Sequence, residues 1–175
     1  MGHMRLIERG NIPSHEQTEW LRRLEMADDK TLRLDDQLCF ALYAATNAVT
    51  RAYRPLLADL DLTYPQYLVM LVLWQDGSST SRAIADRLHL SANAISPLLE
   101  RLEQGELIAR RRDKADRRVV HIDLTERGHA LQSLAFDAQQ AVECRTGLAI
   151  DELERLRDQL VALATRMGGQ AVAEA

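Results

Sequence analysis

STSRAIADRLHLSANAISPLLERLEQGELIARRRDKADRRVVHIDLTERG, Ser79 to Gly128, sets two amphipathic segments directly before two strand-like runs with a charged tip between them. Ala83, Ile84 and Leu88 mark the buried side of a first short helix. Leu90 leads into Ser91, a good N-cap, and Ile95, Leu98, Leu99 and Leu102 then face inward on a second helix that Gly105 ends. That spacing leaves Ala92, Asn93, Ser96 and Arg101 outside. Leu107–Arg112 and Arg118–Leu124 read as paired strands, with Val120, Ile122 and Leu124 alternating onto one face and Asp113–Arg117 forming the tip. This order is the one a helix-turn-helix with a β-wing requires. One helix must fill a major groove while the hairpin reaches the backbone or minor groove.

Charge follows the same plan. The 175 residues carry a formal charge of −4, which by itself argues mildly against nucleic acid. Between Arg110 and Arg118, however, six basic residues stand against Asp113 and Asp116. A concentrated basic hairpin on an otherwise acidic chain attracts phosphate locally without general stickiness.

Upstream, Leu38, Leu42, Ala45, Val49, Ala52, Leu56 and Leu60 recur at steps of three and four, predicting one long helix with an apolar stripe. Asp35 and Asp36 suit its positive end, and Pro55 is expected to kink or break it. Tyr64 to about Gly77 predicts the next helix. Thr125 caps a further long helix carrying Leu131, Leu134, Ala138, Ala141 and Val142. Ile150, Leu153, Leu156, Leu160, Leu163 and Met167 stripe a last one. The expected fold is mainly α: a winged helix-turn-helix over residues 64–124, flanked by residues 34–63 and 125–170 as a helical homodimerisation region. Residues 1–33 form an N-terminal extension that reads equally as a flexible segment or a short arm with Trp20 and Leu24 one turn apart.

The longest apolar run, Tyr67–Trp74, is far short of the ~20 residues that span a bilayer, so no membrane partner is expected. Two distant cysteines, Cys39 and Cys144, form neither a metal-ligand cluster nor a disulfide framework. A reducing cytoplasm is the expected location, and no cofactor or metal is expected.

Asp116, Arg118, Leu124, Thr125 and Gly128 in DRRVVHIDLTERG match the D-x-R…L-T-x-x-G pattern of the MarR family of winged-helix repressors, which the chain resembles from about Leu34 to Met167. The resemblance implies that Arg118 enters a minor groove, oriented by Asp116 and accompanied by Arg117. A narrow minor groove focuses negative potential on a guanidinium. The run LCFALYA, Leu38–Ala44, further resembles the organic-hydroperoxide-sensing branch of that family. There the cysteine of the run, here Cys39, is the peroxide-reactive thiol, supported by tyrosines at the positions of Tyr43, Tyr53 and Tyr64. Cys144 falls where part of the branch carries a second cysteine, which implies the two-cysteine type. Only a thiolate attacks a peroxide quickly, and an ordinary thiol is mostly protonated at neutral pH. A reactive cysteine therefore needs a helix start or phenol donors beside it, and Tyr43 lies one helical turn from Cys39.

The resemblance implies a homodimeric, non-enzymatic repressor that holds a pseudo-palindromic double-stranded operator when reduced. An organic hydroperoxide is the signal, and an intersubunit Cys39–Cys144 disulfide releases the DNA. Relatives of this branch often begin the recognition helix with a D-S-G-T-L-T-P-like run, whereas this chain has SANAISP, Ser91–Pro97. Its operator is therefore its own, although Asn93 suits the N6 and N7 edge of adenine. Three rivals remain at this level: a repressor answering a small phenolic ligand, a thiol peroxidase turning over at Cys39, and a sequence-indifferent DNA-coating protein.

Overall fold

Thr63, Thr80, Ser91 and Thr125 each stand one residue before a helix, and between them they set the order of the central region. The computed structural model describes residues 32–113, 116 and 119–168. The chain falls into two compact units, divided between Ala44 and Ala45. In the first unit a 3₁₀ turn, Leu34–Asp36, precedes the opening turns of α1, Leu38–Ala58.

In the second unit α1 runs on through Pro55 without the break that was one of the two outcomes expected there. Pro55 and Arg51, whose carbonyl loses its partner, are both exposed, so solvent can satisfy the orphaned oxygen. Then follow α2 (Tyr64–Asp76), β1 (Ser79–Thr80), α3 (Ser81–Arg87), α4 (Ala92–Gln104), β2 (Ile108–Arg112), β3 (Val120–Leu124), α5 (Glu126–Ala130), α6 (Gln132–Arg145) and α7 (Ile150–Gly168). The strands form an antiparallel sheet in the order β1-β3-β2. Residues 108–112 pair with 124–120, and the short β1 adds a third strand through Ser79↔Ile122 and Thr80↔His121.

This is a winged helix-turn-helix in a mainly helical chain. Thr80 Oγ1 accepts the Ala83 N–H at 3.2 Å and Ser91 Oγ the Ala94 N–H at 3.3 Å, starting α3 and α4. Between them the chain turns with His89 in the left-handed region (φ 53°). After α4 the left-handed residue is Glu106 (φ 57°), with Gly105 itself at φ −78°. The core gathers Leu57, Tyr67, Met70, Leu73, Ile84, Ile95, Leu99, Leu102, Ile108 and Ile122, all nearly inaccessible. Burying each such side chain contributes roughly 1.5–3 kcal/mol.

The helix expected after Thr125 is two, separated at Leu131, and its expected apolar stripe holds except at Leu134. Ala135, Ala138 and Val142 are buried while Leu134 is exposed. Small alanines let α6 lie against the aromatic side chains of α2, where Leu134 would hold it off. The apolar stripes of α1 and α7 stay largely uncovered in the single chain. Leu38 is 60 % exposed, Ile150 80 % and Met167 68 %.

The junction after β3 is the tightest point. A Cβ on Gly128 would collide with the Leu107 carbonyl oxygen, a backbone atom that cannot swing away. Gly128→Ala should therefore cost about 1–3 kcal/mol in urea denaturation, the usual range for overpacking. An unchanged midpoint would show that this approach is not required.

Candidate nucleic-acid interface and thiol sites

The exposed start of α4 carries the residues read as DNA contacts. Ser91, Ala92, Asn93 and Ser96 are all exposed, with Ser91 committed to the cap and Ser96 Oγ donating to the Ala92 carbonyl at 3.0 Å. Asn93 therefore presents the free amide of this set. Arg101, also exposed, lies two turns further on and lines a pocket with Leu62 and Thr63 of the α1–α2 turn and Gln66 of α2.

The hairpin is braced by charge. Arg111 Nε donates to Asp123 Oδ2 at 2.8 Å, Arg110 Nε meets Glu103 of α4 at 3.1 Å, and His121 Nε2 lies 3.3 Å from Asp113 Oδ2. Asp116, the residue read as orienting Arg118, donates its backbone N–H to Asp113 Oδ1 at 3.0 Å and accepts from the Val119 N–H at 3.0 Å. Arg117 and Arg118 lie outside the described residues. A hydrogen bond from Ser78 holds the Asp123 carboxyl below the usual carboxylate range, with Arg111 and His121 adding to it against the effect of burial.

The tyrosines divide. Tyr43 is exposed on the first turns of α1, one turn from the exposed Cys39. Tyr53 and Tyr64 instead pack with Tyr67, a residue the sequence reading did not single out. Ring centroids lie 5.3 Å apart for Tyr53–Tyr64, 5.3 Å for Tyr53–Tyr67 and 6.2 Å for Tyr64–Tyr67. Burial, then the Tyr67 charge and the hydrogen bond to its hydroxyl, push the Tyr53 phenol well above its ordinary range. Glu143, next to Cys144 on α6, contributes in the same direction to Tyr53 and Tyr67. The signal for Tyr67 was its i, i+3 spacing from Tyr64, which puts both on one helix face.

Trp74, 6.4 Å from Tyr67, donates its indole N–H to the Gly128 carbonyl at 3.0 Å. An open cavity of about 200 Å³ between α2 and α6 is lined by Tyr67, Leu71, Trp74, Phe136 and Gln139 among others. Cys144 is exposed near the end of α6, and both cysteines are free thiols. No described group of three or more His, Cys, Asp or Glu could hold a metal, and no described helix is long and apolar enough to cross a membrane.

A capped helix-turn-helix joined to a basic antiparallel hairpin defines a winged-helix DNA-binding protein. A family model described as transcriptional regulator SarA/Rot matches residues 51–133. The HTH-type transcriptional regulator TtmR of Methylorubrum extorquens is 43% identical over 143 residues, covering 82% of this chain and 73% of that protein. The organic hydroperoxide resistance transcriptional regulator of Bacillus subtilis is 38% identical over 132 residues, covering 75% and 90%. Among solved structures, reduced AbfR bound to DNA superposes with a TM-score of 0.63 at 29% identity, over 89% of this chain and 99% of that one. Disulfide-formed AbfR gives 0.56 at 31% identity, over 86% and 98%; AbfR is from Staphylococcus epidermidis. The chain belongs to the winged-helix transcriptional regulators of the SarA/MarR type.

Asp123 offers a test of the hairpin bracing. Its folded-state pKa is lowered, so its contribution is fully present above the unfolded value near pH 4 and is lost as pH falls through the folded value. Asp123→Asn should lower stability at pH 7 by about 1 kcal/mol, the partial exposure of the pair discounted. It should also flatten the loss between pH 5 and 3. Urea midpoints at both ends of that range check this, and a variant with wild-type acid dependence would contradict it.

Proposed function

We propose that this regulator is a dimeric, thiol-switched repressor, with residues 64–124 as its DNA-binding domain and residues 34–63 and 125–170 as its dimerisation region. The observation that carries the reading is the exposed Cys39 thiol, second residue of α1 and the cysteine of the LCFALYA run, in a chain 38% identical to the Bacillus hydroperoxide-resistance regulator.

In the reduced dimer each α4 lies in a major groove, with Ser91, Ala92, Asn93, Ser96 and Arg101 toward DNA. The hairpin, with Asp116, Arg117 and Arg118, follows the adjacent minor groove, and half-sites of a pseudo-palindrome lie about one turn apart. The uncovered stripes of α1 and α7 support a homodimer, since such apolar faces need partners.

The Cys39 thiolate attacks one oxygen of an organic hydroperoxide. The O–O bond breaks, the alcohol leaves with a proton, and the sulfur becomes a sulfenic acid. The Cys144 thiol of the other subunit then attacks that sulfur, forming the disulfide and releasing water. Tyr43, Tyr53 and Tyr64 support the thiolate by hydrogen bonding. Apolar neighbours Leu38, Phe40 and Leu42 favour hydrophobic peroxides over small hydrophilic ones. Release follows only if the oxidised dimer binds operator more weakly.

A second reading has one observation in its favour. The cavity between α2 and α6, with Tyr67, Trp74 and Phe136 on its walls, has the aromatic character a phenolic effector would use. Such a repressor would answer its ligand after Cys39→Ser, and a thiol switch would not.

Fluorescence anisotropy on DNA from the protein's own promoter separates these. Stoichiometric cumene hydroperoxide should raise the wild-type Kd at least tenfold, about 1.4 kcal/mol, and leave Cys39→Ser unchanged. Non-reducing electrophoresis should show an intersubunit crosslink that Cys144→Ser abolishes. Tight wild-type binding that ignores peroxide would remove the thiol switch and leave the ligand-responsive repressor.

A further inference from the structure

The hairpin run Arg110-Arg111-Arg112 sets three of the basic residues of the 110–118 stretch side by side. Side chains on a strand alternate between faces, so Arg110 and Arg112 share one face and Arg111 takes the other. On its face Arg111 sits opposite His121 and is held by Asp123, the register partner of Ala109. Asp123 is also bonded by Ser78, at the root of β1. His121 in turn meets Asp113 at 3.3 Å, so that side of the hairpin is a continuous polar ladder. On the other face Arg110 reaches back to Glu103, in the last turn of α4. Its charge is neutralised by a carboxylate that would itself repel a phosphate.

Arg112 differs from both. It is exposed, and its guanidinium has no ion pair or hydrogen bond among the described residues. It lies one two-residue step beyond Arg110, about 6–7 Å further toward the hairpin tip on the face that meets the recognition helix.

We infer that the three arginines divide their work: Arg112 is a phosphate contact, while Arg110 and Arg111 are positioning residues that set the hairpin against the end of α4 and against its own partner strand. The inference rests on operator binding by the reduced dimer. The ion pair between Glu103 and Arg110 ties the root of the wing to the last turn of α4, which relates the phosphate reached by Arg112 to the groove that α4 fills. Counterion release measures the difference, because only a cation that neutralises a phosphate displaces counterions from DNA.

The test is the salt dependence of operator affinity for the reduced, full-length protein, read by anisotropy between about 50 and 200 mM salt. Arg112→Gln removes one phosphate contact per subunit. The slope of log K against log salt should become less steep by about 1.8 per dimer, at about 0.9 for each phosphate. The charge-swapped double variant Glu103→Arg, Arg110→Glu should keep the wild-type slope and an affinity within about threefold, whereas Arg110→Glu alone should lose more than tenfold. The swap Asp123→Arg, Arg111→Asp should behave as the first swap does. An unchanged slope in Arg112→Gln would overturn the inference without any reliance on how the doubly substituted hairpins fold. A swap of Arg110 that lowers the slope as much as Arg112→Gln does would overturn it too, by making Arg110 a phosphate contact. Wild-type protein that ignores its promoter DNA would instead overturn the operator-binding reading and this inference with it.

Discussion

At Gly128 the backbone of one helix comes against the carbonyl of Leu107, a distance no side chain would permit. Around that approach the hydrogen bonds of four elements converge. The Thr125 N–H donates to the Leu107 carbonyl at 3.1 Å and its hydroxyl to the Glu106 carbonyl at 2.6 Å. The same hydroxyl oxygen accepts the Gly128 N–H at 3.0 Å, and the Gly128 carbonyl accepts the Trp74 indole. The root of β2, the end of β3, the start of α5 and the far end of α2 are thereby joined. The hairpin can then be basic and exposed toward its tip, because its base is anchored by uncharged bonds that salt does not screen.

The polar and charged groups divide between two tasks. In the hairpin, opposite charges stand close enough to hold its shape, and carboxylates quench two of the first three arginines. In the aromatic cluster of Tyr53, Tyr64 and Tyr67, burial keeps the phenols protonated, so that they act as hydrogen-bond donors rather than charges. The exposed stripes of α1 and α7 belong to a separate constraint. Apolar faces of this extent are rarely left uncovered, and a partner surface is the usual cover.

Much of the fold was legible because its signals are local. Ser91, Thr125 and the 3–4 spacing of Ile95, Leu98, Leu99 and Leu102 place a capped helix wherever they occur, and the alternation of Val120, Ile122 and Leu124 places a strand. The candidate thiols and the exposed start of the recognition helix could be read in the same way. Pro55 left both a kink and a break open because the cost of an interior proline depends on whether the orphaned carbonyl faces solvent, which a sequence does not display. Leu134 was misread as inward because the choice between Leu134 and Ala135 lies with the aromatic wall across from them. Tyr67 was passed over because its importance comes from Tyr53, a residue on another helix.

The sequence by itself determined the order of helices and strands, the caps that start them, the basic character of the hairpin and the presence of two free cysteines. These follow from backbone propensity and side-chain periodicity within a few turns of chain. Tertiary structure alone decided which arginines are bound to carboxylates, which tyrosines stack, and why a glycine must stand at 128. Each of those depends on distances between segments far apart in sequence, and ion pairs, ring contacts and steric exclusion act only when folding has brought the partners together.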